Sequence, residues 1–336
     1  MKNQLFTADA PSLVAHHFRS KLSTEKKALV IAGYDYFLQK ADLQRLLKKY
    51  QEVLLIPEQP YSELNLAEKV LYFLKESETL HLVLPNNSLL RPEPLIRFVK
   101  HLHQQIVVTS IDDFCVSQLQ KVYVPAIPHT PYLEIDWLEQ PPKWVGMIKR
   151  FSDVVTSLLL IVLSSPLWIL SAIKIASESP GRVFYTQKRL GKRNKEFVMV
   201  KFRSMFPNAE ANGAVFSKKN DRRAFKYGSF MRITRIDELP QLINVLKGDL
   251  SLVGPRPERK VFVEQFREEM PHYDFRSVVK PGISGYAQIA YPYGIGAKDA
   301  RHKLMYDLYY IKHWSIGLEL SIMFRTIVTI LSKQGR

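Results

Sequence analysis

The sequence places two carboxylates side by side, Asp237 and Glu238, and follows them with Pro240. A carboxylate can attack phosphorus to give an acyl phosphate, and its neighbour can bind a metal or a proton. Two adjacent anions repel, so this chemistry requires cations close by, and Mg²⁺ can bridge carboxylate and phosphate oxygens. Four such cations precede the pair in the sequence: Lys201, Arg203, Arg232 and Arg235.

A structural interpretation of Asp237 and Glu238 is also open. Neighbouring residues of a regular helix point about 100° apart, so adjacent carboxylates normally form no pair. Acidic residues are common in the first turn of a helix, where the macrodipole favours them. From the residues alone, the pair is either a phosphate-transferring site or a solvated helix N-terminus.

A second candidate is the segment Gly254-Pro-Arg-Pro257. Its two prolines fix the backbone on both sides of Arg256, which can hold the guanidinium toward a phosphate or a base with little loss of entropy. The alternative is a rigid surface turn.

The net charge of the chain is +16, and it is unevenly distributed. Residues 1–140 hold 15 Lys/Arg and 16 Asp/Glu, whereas residues 141–336 hold 33 and 16, so the excess lies in the C-terminal part. An excess of this size indicates an anionic partner, which can be nucleic acid, a phosphorylated substrate or a membrane surface. The single cysteine, Cys115, excludes a disulfide framework or a cysteine-rich zinc site.

The N-terminal part alternates short apolar runs with helical patterns, which predicts an α/β fold with a doubly wound parallel sheet. The predicted strands are Ala28–Ala32, Val53–Ile56, His81–Leu84 and Ile106–Val108, and the predicted helices are Tyr36–Tyr50, Leu64–Lys75 and Pro94–His103. The first strand leads into Ala32-Gly33-Tyr34-Asp35, which lacks the closely spaced glycines of a dinucleotide-binding loop. We therefore predict a non-catalytic, Rossmann-like domain over 1–124, and a proline-rich linker over 125–145.

Residues 146–336 are predicted to form a second, mainly helical and membrane-associated domain. Val154–Ile173 holds 20 residues without a charge, long enough to cross a bilayer as one helix. Ser165-Pro166 interrupts this run, and basic residues flank both of its ends, beginning with Lys149-Arg150. These features favour a re-entrant membrane helix over about 150–177 that bends at Ser165 and Pro166, with a spanning helix as the alternative.

The C-terminal segment adds a second indication of a membrane. Aromatic and aliphatic residues dominate Leu308–Leu331, but Lys312, Glu319 and Arg325 interrupt them. This pattern predicts helices over about 306–332 that lie in the membrane interface, although helices packed on the protein core would show the same spacing.

Several motifs together resemble the bacterial sugar transferases that begin polysaccharide synthesis, the monotopic polyprenyl-phosphate phosphoglycosyl transferases, in the branch associated with exopolysaccharides. The resemblance covers about Lys149 to Arg336, and the motifs occur in the order found in the family. They are Lys149-Arg150 with Asp153, Ser165-Pro166, Val200-Lys-Phe-Arg-Ser-Met205, Ile236-Asp-Glu-Leu-Pro-Gln241, Gly254-Pro-Arg-Pro257 and Lys280-Pro-Gly-Ile-Ser-Gly285.

This resemblance implies transfer of a sugar phosphate from a UDP-sugar to undecaprenyl phosphate, with release of UMP. Asp237 would carry a covalent phosphosugar, and Glu238 would assist proton transfer or hold Mg²⁺ together with Asp237. Arg232 would contact the lipid phosphate and Arg256 the nucleotide. The resemblance further implies the cytoplasmic face of the inner membrane, partners among polysaccharide biosynthesis proteins or in a homo-oligomer, and a hexose such as glucose or galactose.

Two departures from the family pattern stand out. Arg235-Ile236 precedes the carboxylate pair where the commonest form has Ser-Leu, so the role of Arg235 is open. Residues 1–140 contain none of the transmembrane helices that large members often carry. A nucleic-acid-binding regulator would need a reading helix or a basic aromatic sheet, and the sequence shows neither. A non-catalytic membrane scaffold that retains the fold is the remaining alternative.

Overall fold

The computed structural model of the chain describes residues 16–20, 27–34, 38–57, 78–84, 105–124, 143–207, 209, 221–270, 272–291, 294 and 296–332. The fold is mixed α/β and divides into two compact units, Met1–Ala126 and Ile127–Arg336. The predicted helices Leu64–Lys75 and Pro94–His103, and residues 125–142 of the predicted linker, lie outside the described residues.

The N-terminal unit is built on a five-stranded sheet with the order β1-β3-β2-β4-β5. The pairs β2–β3, β2–β4 and β4–β5 are parallel, and β1 pairs with β3 in the antiparallel direction. Its elements are β1 (His16–Arg19), β2 (Lys27–Tyr34), α1 (Lys40–Lys49), β3 (Glu52–Pro57), β4 (Thr79–Leu84), β5 (Gln105–Ser110) and α2 (Ile111–Phe114), which continues as a π-turn over Cys115–Leu119. The four predicted strands and the first predicted helix are confirmed.

Polar side chains inside the N-terminal unit are paired with each other. The hydroxyl of Tyr50 lies 2.6 Å from Nδ1 of His81, and Nε2 of His81 lies 2.7 Å from the hydroxyl of Thr109. Burial, with a contribution from Lys49, lowers the pKa of His81 to about 4. A neutral imidazole held on both nitrogens joins β4 to its neighbours, which is a structural role.

The C-terminal unit is mainly helical and contains two small sheets. The antiparallel pair β6–β7 and the parallel pair β8–β9 are its strands. Its elements are α3 (Lys143–Glu178), β6 (Phe184–Leu190), β7 (Glu196–Phe202), α4 (Lys226–Thr234), a 3₁₀ turn (Ile236–Glu238), α5 (Gln241–Lys247), β8 (Ser251–Val253), α6 (Lys260–Glu269), a 3₁₀ segment (Tyr273–Val278), β9 (Gly282–Ser284), α7 (Tyr286–Ala290), α8 (Ala297–Lys312) and α9 (Ile316–Leu331).

Helix α3 continues through Pro166 without interruption, although the sequence predicts a break there. Proline has no N–H to offer the carbonyl four residues earlier, which is that of Val162. The hydroxyl of Ser165 donates to this carbonyl at 2.8 Å, and the hydroxyl of Ser164 donates to the carbonyl of Leu160 at 2.6 Å. The hydroxyl of Ser165 therefore supplies a donor to the carbonyl that loses its backbone partner at the proline, and α3 is one helix over Lys143–Glu178.

One face of α3 packs on the C-terminal unit near both of its ends. Asp153 and Ser157 are buried near the beginning of the helix, and Ser171 and Ile175 are buried near its end. The opposite face exposes large apolar side chains, among them Val155, Leu159, Val162, Leu163, Ile169 and Ile173. Among the described residues, α3 is the helix that is long and apolar enough to cross a membrane.

The basic pair at the start of α3 is bound within the protein. Arg150 donates to the carbonyls of Val245 and Leu246, at 2.5 and 2.7 Å, where α5 ends. Lys149 donates to the carbonyl of Val253 at 3.2 Å and forms an ion pair with Glu319. Both side chains of this basic flank therefore dock α3 onto the C-terminal unit.

The parallel strands β8 and β9 approach closely at two glycines. Gly254 donates to the carbonyl of Ser284, and Gly282 donates to the carbonyl of Pro255, both at 2.9 Å. A side chain at Gly282 would collide with the backbone of Val253 and Gly254. This close approach fixes the backbone that leads into Arg256.

We expect Gly282→Ala to destabilise the C-terminal unit, because the added methyl group would force the two strands apart. Overpacking of this kind costs about 1–3 kcal/mol, and each kcal/mol lowers Tm by about 2–4 °C in a unit of this size. Thermal unfolding of the purified protein in detergent measures the effect.

Gly317→Ala is the matched control, since a methyl group there meets nothing within 4 Å. Its Tm should stay equal or rise slightly. Equal Tm values for Gly282→Ala and the wild-type protein would contradict the close approach of β8 and β9 at Gly282.

Candidate active site

The two carboxylates lie on a tight turn between two helices. Helix α4 ends at Thr234, Arg235 adopts a left-handed conformation with φ of 60°, and a 3₁₀ turn follows over Ile236–Glu238. Asp237 and Glu238 are 8% and 7% exposed, so the interpretation as a solvated helix N-terminus is wrong. Buried carboxylates require paired cations or hydrogen bonds, because an isolated buried charge is very costly.

Three cations surround Glu238. Its Oε1 accepts from Nζ of Lys201 at 3.1 Å and from a guanidinium nitrogen of Arg256 at 2.7 Å. Its Oε2 accepts from Arg235 at 3.4 Å. The structure thus brings together Lys201, Arg235 and Arg256, residues that the sequence identifies as candidates but cannot place relative to one another.

The electrostatics of this cluster follow from burial and charge together. Burial by itself would raise the pKa of Glu238, but Arg256, Lys201 and Arg235 outweigh it and hold this pKa well below its usual range. Burial would lower the pKa of Arg256, but Glu238 raises it above the ordinary arginine value. Burial lowers the pKa of Lys201 to about 8, against the opposing effect of Glu238. Glu238 is therefore ionised at neutral pH, and Lys201 is close to its titration point.

Asn244 positions the strand that carries Lys201. Its side-chain amide donates to the carbonyl of Val198 at 2.7 Å, and its carbonyl oxygen accepts from the backbone N–H of Val200 at 3.0 Å. Asn244 lies on α5, directly after the carboxylate turn, so it ties β7 to the helix that follows the site. The sequence offers no signal for this role, because its partners lie 44 and 46 residues away.

Arg276 positions the backbone of Arg256. It donates to the carbonyl of Arg256 at 2.9 Å, and it forms a buried ion pair with Asp307 at 2.8 Å. The hydroxyl of Tyr273 accepts from the same guanidinium at 3.1 Å. Helix α8, which carries Asp307, thus supports the Pro-Arg-Pro segment through one arginine, and sequence reasoning does not identify Arg276 or Asp307.

A shallow cleft lies beside Arg256. Prolines and small side chains form much of its wall, including Pro255, Pro257, Pro281, Gly191 and Ser277. The cleft and the cation cluster share Arg256, so a ligand bound in the cleft lies next to the charges that surround Glu238.

The remaining predicted site residues lie just beyond β7, on α4 and on α3. Arg203 donates to the carbonyls of Ser179 and Pro180 at 2.5 and 2.6 Å, just after the end of α3. Arg232 is half-buried in the last turn of α4, before the carboxylate turn. Ser165 and Pro166 lie within α3.

At the carboxylate pair, a magnesium ion would need oxygen ligands from a bound substrate in addition to those of the protein. The described residues contain no cluster of three or more His, Cys, Asp or Glu that could hold a metal by itself. Mg²⁺ commonly binds through one or two carboxylates plus substrate phosphates. Both oxygens of Glu238 accept from cations, Oε1 from Lys201 and Arg256 and Oε2 from Arg235, so Glu238 could share such an ion with Asp237 only if one of these contacts were exchanged for the metal.

Comparison with known proteins identifies one family. The family model described as bacterial sugar transferase matches residues 144–333, which contain the carboxylate turn, the cation cluster and α3.

Three relatives illustrate the similarity. The chain is 48% identical over 195 residues to a UDP-N-acetylgalactosamine-undecaprenyl-phosphate N-acetylgalactosaminephosphotransferase of Aeromonas hydrophila, covering 58% of the chain and 46% of the relative. It is 36% identical over 227 residues to a UDP-glucose:undecaprenyl-phosphate glucose-1-phosphate transferase of Klebsiella pneumoniae, covering 66% and 47%. It is 49% identical over 129 residues to a putative undecaprenyl-phosphate N-acetylgalactosaminyl 1-phosphate transferase of Bacillus subtilis (strain 168), covering 38% and 72%. The matches span about half the length of the first two relatives.

We expect Lys201 to lose its proton near pH 8, and we expect Glu238→Gln to move this midpoint to a lower pH. Removal of the carboxylate takes away the anion that stabilises the ammonium, whereas the burial that lowers its pKa remains. The reactivity of Lys201 toward a small amine-acylating reagent, measured by peptide mass spectrometry as a function of pH, reports both midpoints.

Lys260, an exposed lysine on α6, serves as the reference in the same samples. Its reactivity profile should be the same in both proteins. A Lys201 midpoint that stays constant or rises in Glu238→Gln would contradict the proximity of the two groups.

Proposed function

The chain belongs to the bacterial sugar transferase family, and from this premise we propose that it transfers a sugar phosphate from a UDP-sugar to undecaprenyl phosphate, as the first membrane step of exopolysaccharide synthesis. The three relatives are named for this type of reaction. The observation that carries the proposal is the buried pair Asp237 and Glu238, with three cations gathered on Glu238.

In the first step, a carboxylate oxygen of Asp237 attacks the β-phosphorus of the UDP-sugar. A P–O bond to Asp237 forms, the bridging bond between the two phosphates breaks, and UMP leaves with the bridging oxygen. The negative charge that develops on the phosphates is met by fixed cations in a partly desolvated site, where such interactions are strong.

In the second step, a phosphate oxygen of undecaprenyl phosphate attacks the phosphorus of the phosphosugar. The bond between phosphorus and Asp237 breaks, the carboxylate is regenerated, and polyprenyl-diphosphate sugar is the product. No group is oxidised or reduced. Arg232, at the end of α4, is proposed to contact the lipid phosphate.

Each cation of the cluster has a proposed part in this reaction. Glu238 holds Lys201 and Arg256 beside Asp237, so that the diphosphate meets charges that are already in place. Arg256, next to the cleft, is proposed to bind the nucleotide. Arg235 has the longest contact with Glu238 and can move to an incoming phosphate most easily. Arg203 is proposed to bind substrate as well, although it also supports the end of α3.

Magnesium is proposed as the cofactor, and Asp237 and Glu238 would hold it together with the diphosphate. When bound, the ion supplies Lewis-acid stabilisation of the negative charge on the phosphates. The protein residues orient the donor and keep Glu238 ionised.

The family implies the inner membrane, with the catalytic unit on the cytoplasmic face, and we propose this location. The contacts of α3 support a monotopic arrangement. Lys149 and Arg150 near its start, and Ser171 near its end, contact the same compact unit, the last through the hydroxyl of Tyr227 at 3.0 Å. Both ends of a spanning helix could not remain on one side of the membrane. The exposed apolar face of α3, and that of α9, would enter the bilayer.

For the N-terminal unit we propose a Rossmann-like, non-catalytic domain. Its parallel strand order supports this assignment, and the paired state of His81 and the absence of a glycine-rich loop after β2 argue against chemistry there. The donor sugar is proposed to be N-acetylgalactosamine rather than glucose, because the relatives at 48% and 49% identity carry that name.

We expect membranes that contain the protein to release UMP from a UDP-sugar when undecaprenyl phosphate is added. In Asp237→Asn this activity should fall on the order of 10³-fold or more, since the amide cannot act as the nucleophile. Assays with UDP-N-acetylgalactosamine, UDP-glucose and UDP-galactose, followed by mass spectrometry for a phosphosugar on Asp237, measure the reaction and its covalent intermediate.

Glu264→Gln removes an exposed carboxylate on α6 and should retain full activity. Near-normal turnover by Asp237→Asn would exclude the covalent mechanism. Absence of UMP release with every donor in the panel would exclude the proposed function.

We expect cysteines introduced in the first turn of α3, at Trp144, and after its end, at Arg182, to be labelled from the same side of the membrane. The introduced thiols should react with an impermeant maleimide in inverted vesicles but not in intact cells. The substitution Cys115→Ser removes the natural thiol. Labelling of either position in intact cells would show that α3 spans the bilayer.

A further inference from the structure

Helix α4, which leads into the catalytic turn, exposes apolar side chains on one face. Its buried side carries Gly228 and Met231, which pack toward Ser204 and the core around Ile175. Its exposed side carries Phe230 and Ile233, which are 50% and 36% exposed. Because residues three apart are neighbours on a helix surface, these two side chains form one continuous apolar strip.

This strip lies among other exposed apolar surfaces. Helix α4 packs against both α3 and α9. Each of these helices also exposes a row of apolar side chains, which on α9 comprises Ile316, Leu320, Phe324, Ile327 and Leu331. Exposed apolar surface of this extent is typical of a membrane or ligand contact.

The strip ends where the cations begin. Phe230 and Ile233 lie one to two turns before Asp237, and Arg232 and Arg235 lie on the same stretch of chain. A ligand that follows α4 therefore meets an apolar surface first and positive charge at its end. This is the order of groups in a lipid phosphate that approaches from the membrane, with its chain in the apolar region and its phosphate at the cations.

We propose that Phe230 and Ile233 form the docking strip for the first isoprene units of the polyprenyl-phosphate acceptor. This inference rests on the proposed function, and it assigns the acceptor a path that is distinct from the donor cleft beside Arg256. The strip selects for a lipid acceptor because a phosphate without an isoprenoid chain gains nothing from it. Apolar burial at two side chains also guides the acceptor phosphate toward Asp237.

The first test compares acceptors of different length. The double variant Phe230→Ser, Ile233→Ser should lower the preference for undecaprenyl phosphate over dimethylallyl phosphate, measured as a ratio of kcat/KM values, on the order of tenfold. Exchange of labelled UMP into the UDP-sugar, which reports the donor half-reaction alone, should stay within about twofold of the wild-type rate, and so should binding to vesicles of phosphatidylethanolamine and phosphatidylglycerol.

The control is Val261→Ser, which removes a side chain of similar exposure, 47%, on α6. Its acceptor preference should equal that of the wild type. An unchanged preference in the double variant, an equal change in Val261→Ser, or a parallel loss of vesicle binding would overturn the proposal. If the wild-type protein showed no exchange of labelled UMP into the UDP-sugar, that result would instead refute the proposed function.

A second test needs no variant. A polyprenyl phosphate that carries a diazirine on its second isoprene unit should label the peptide that contains Phe230 and Ile233 in the wild-type protein. Undecaprenyl phosphate should suppress this labelling, whereas phosphatidylglycerol should not. Labelling confined to α3 or α9, or equal suppression by both lipids, would overturn the proposal.

Discussion

The arrangement of the C-terminal unit depends on the contacts between the buried carboxylate of Glu238 and three cations. Its charge survives burial because Lys201 from β7, Arg235 from the end of α4 and Arg256 from the Pro-Arg-Pro segment reach it together. Removal of any one cation would leave the others to balance a desolvated anion, and removal of the anion would leave three cations in mutual repulsion. The cluster therefore fixes the relative position of three separate segments around Asp237.

Three arginines of the C-terminal part have a structural role beyond this cluster. Arg150, Arg203 and Arg276 donate to backbone carbonyls near the end of α5, beyond the end of α3 and at Arg256. Carbonyls at helix ends have no partner within the helix, and a guanidinium can satisfy two of them at once. The charge excess thus reflects the assembly of the unit as well as the expected anionic substrates.

The proposed reaction joins a soluble donor to a lipid acceptor, which requires a site at the boundary of two phases, and the C-terminal unit has helices that are apolar on their outer faces. Glu319 illustrates how such a helix is held. Its carboxylate accepts from Tyr310 at 2.5 Å and Trp314 at 2.8 Å and pairs with Lys149, which joins α8, α9 and α3 beneath the exposed apolar surfaces of α3 and α9. Polar groups thus connect the helices inside the unit, while the side chains outside remain available to the membrane.

The sequence by itself determined four of the five strands of the N-terminal sheet, the apolar length of α3, the identity of the carboxylate pair and most of the cations near it, because period, run length and local motifs depend on residues close in the chain. It did not determine that α3 continues through Pro166, that Lys149 and Arg150 dock within the protein, or that Asn244, Arg276 and Asp307 support the site. Those features depend on contacts between residues that are distant in sequence. Only the tertiary structure decided which cations share Glu238, because burial and distance, and not residue type, set the strength of a charge interaction.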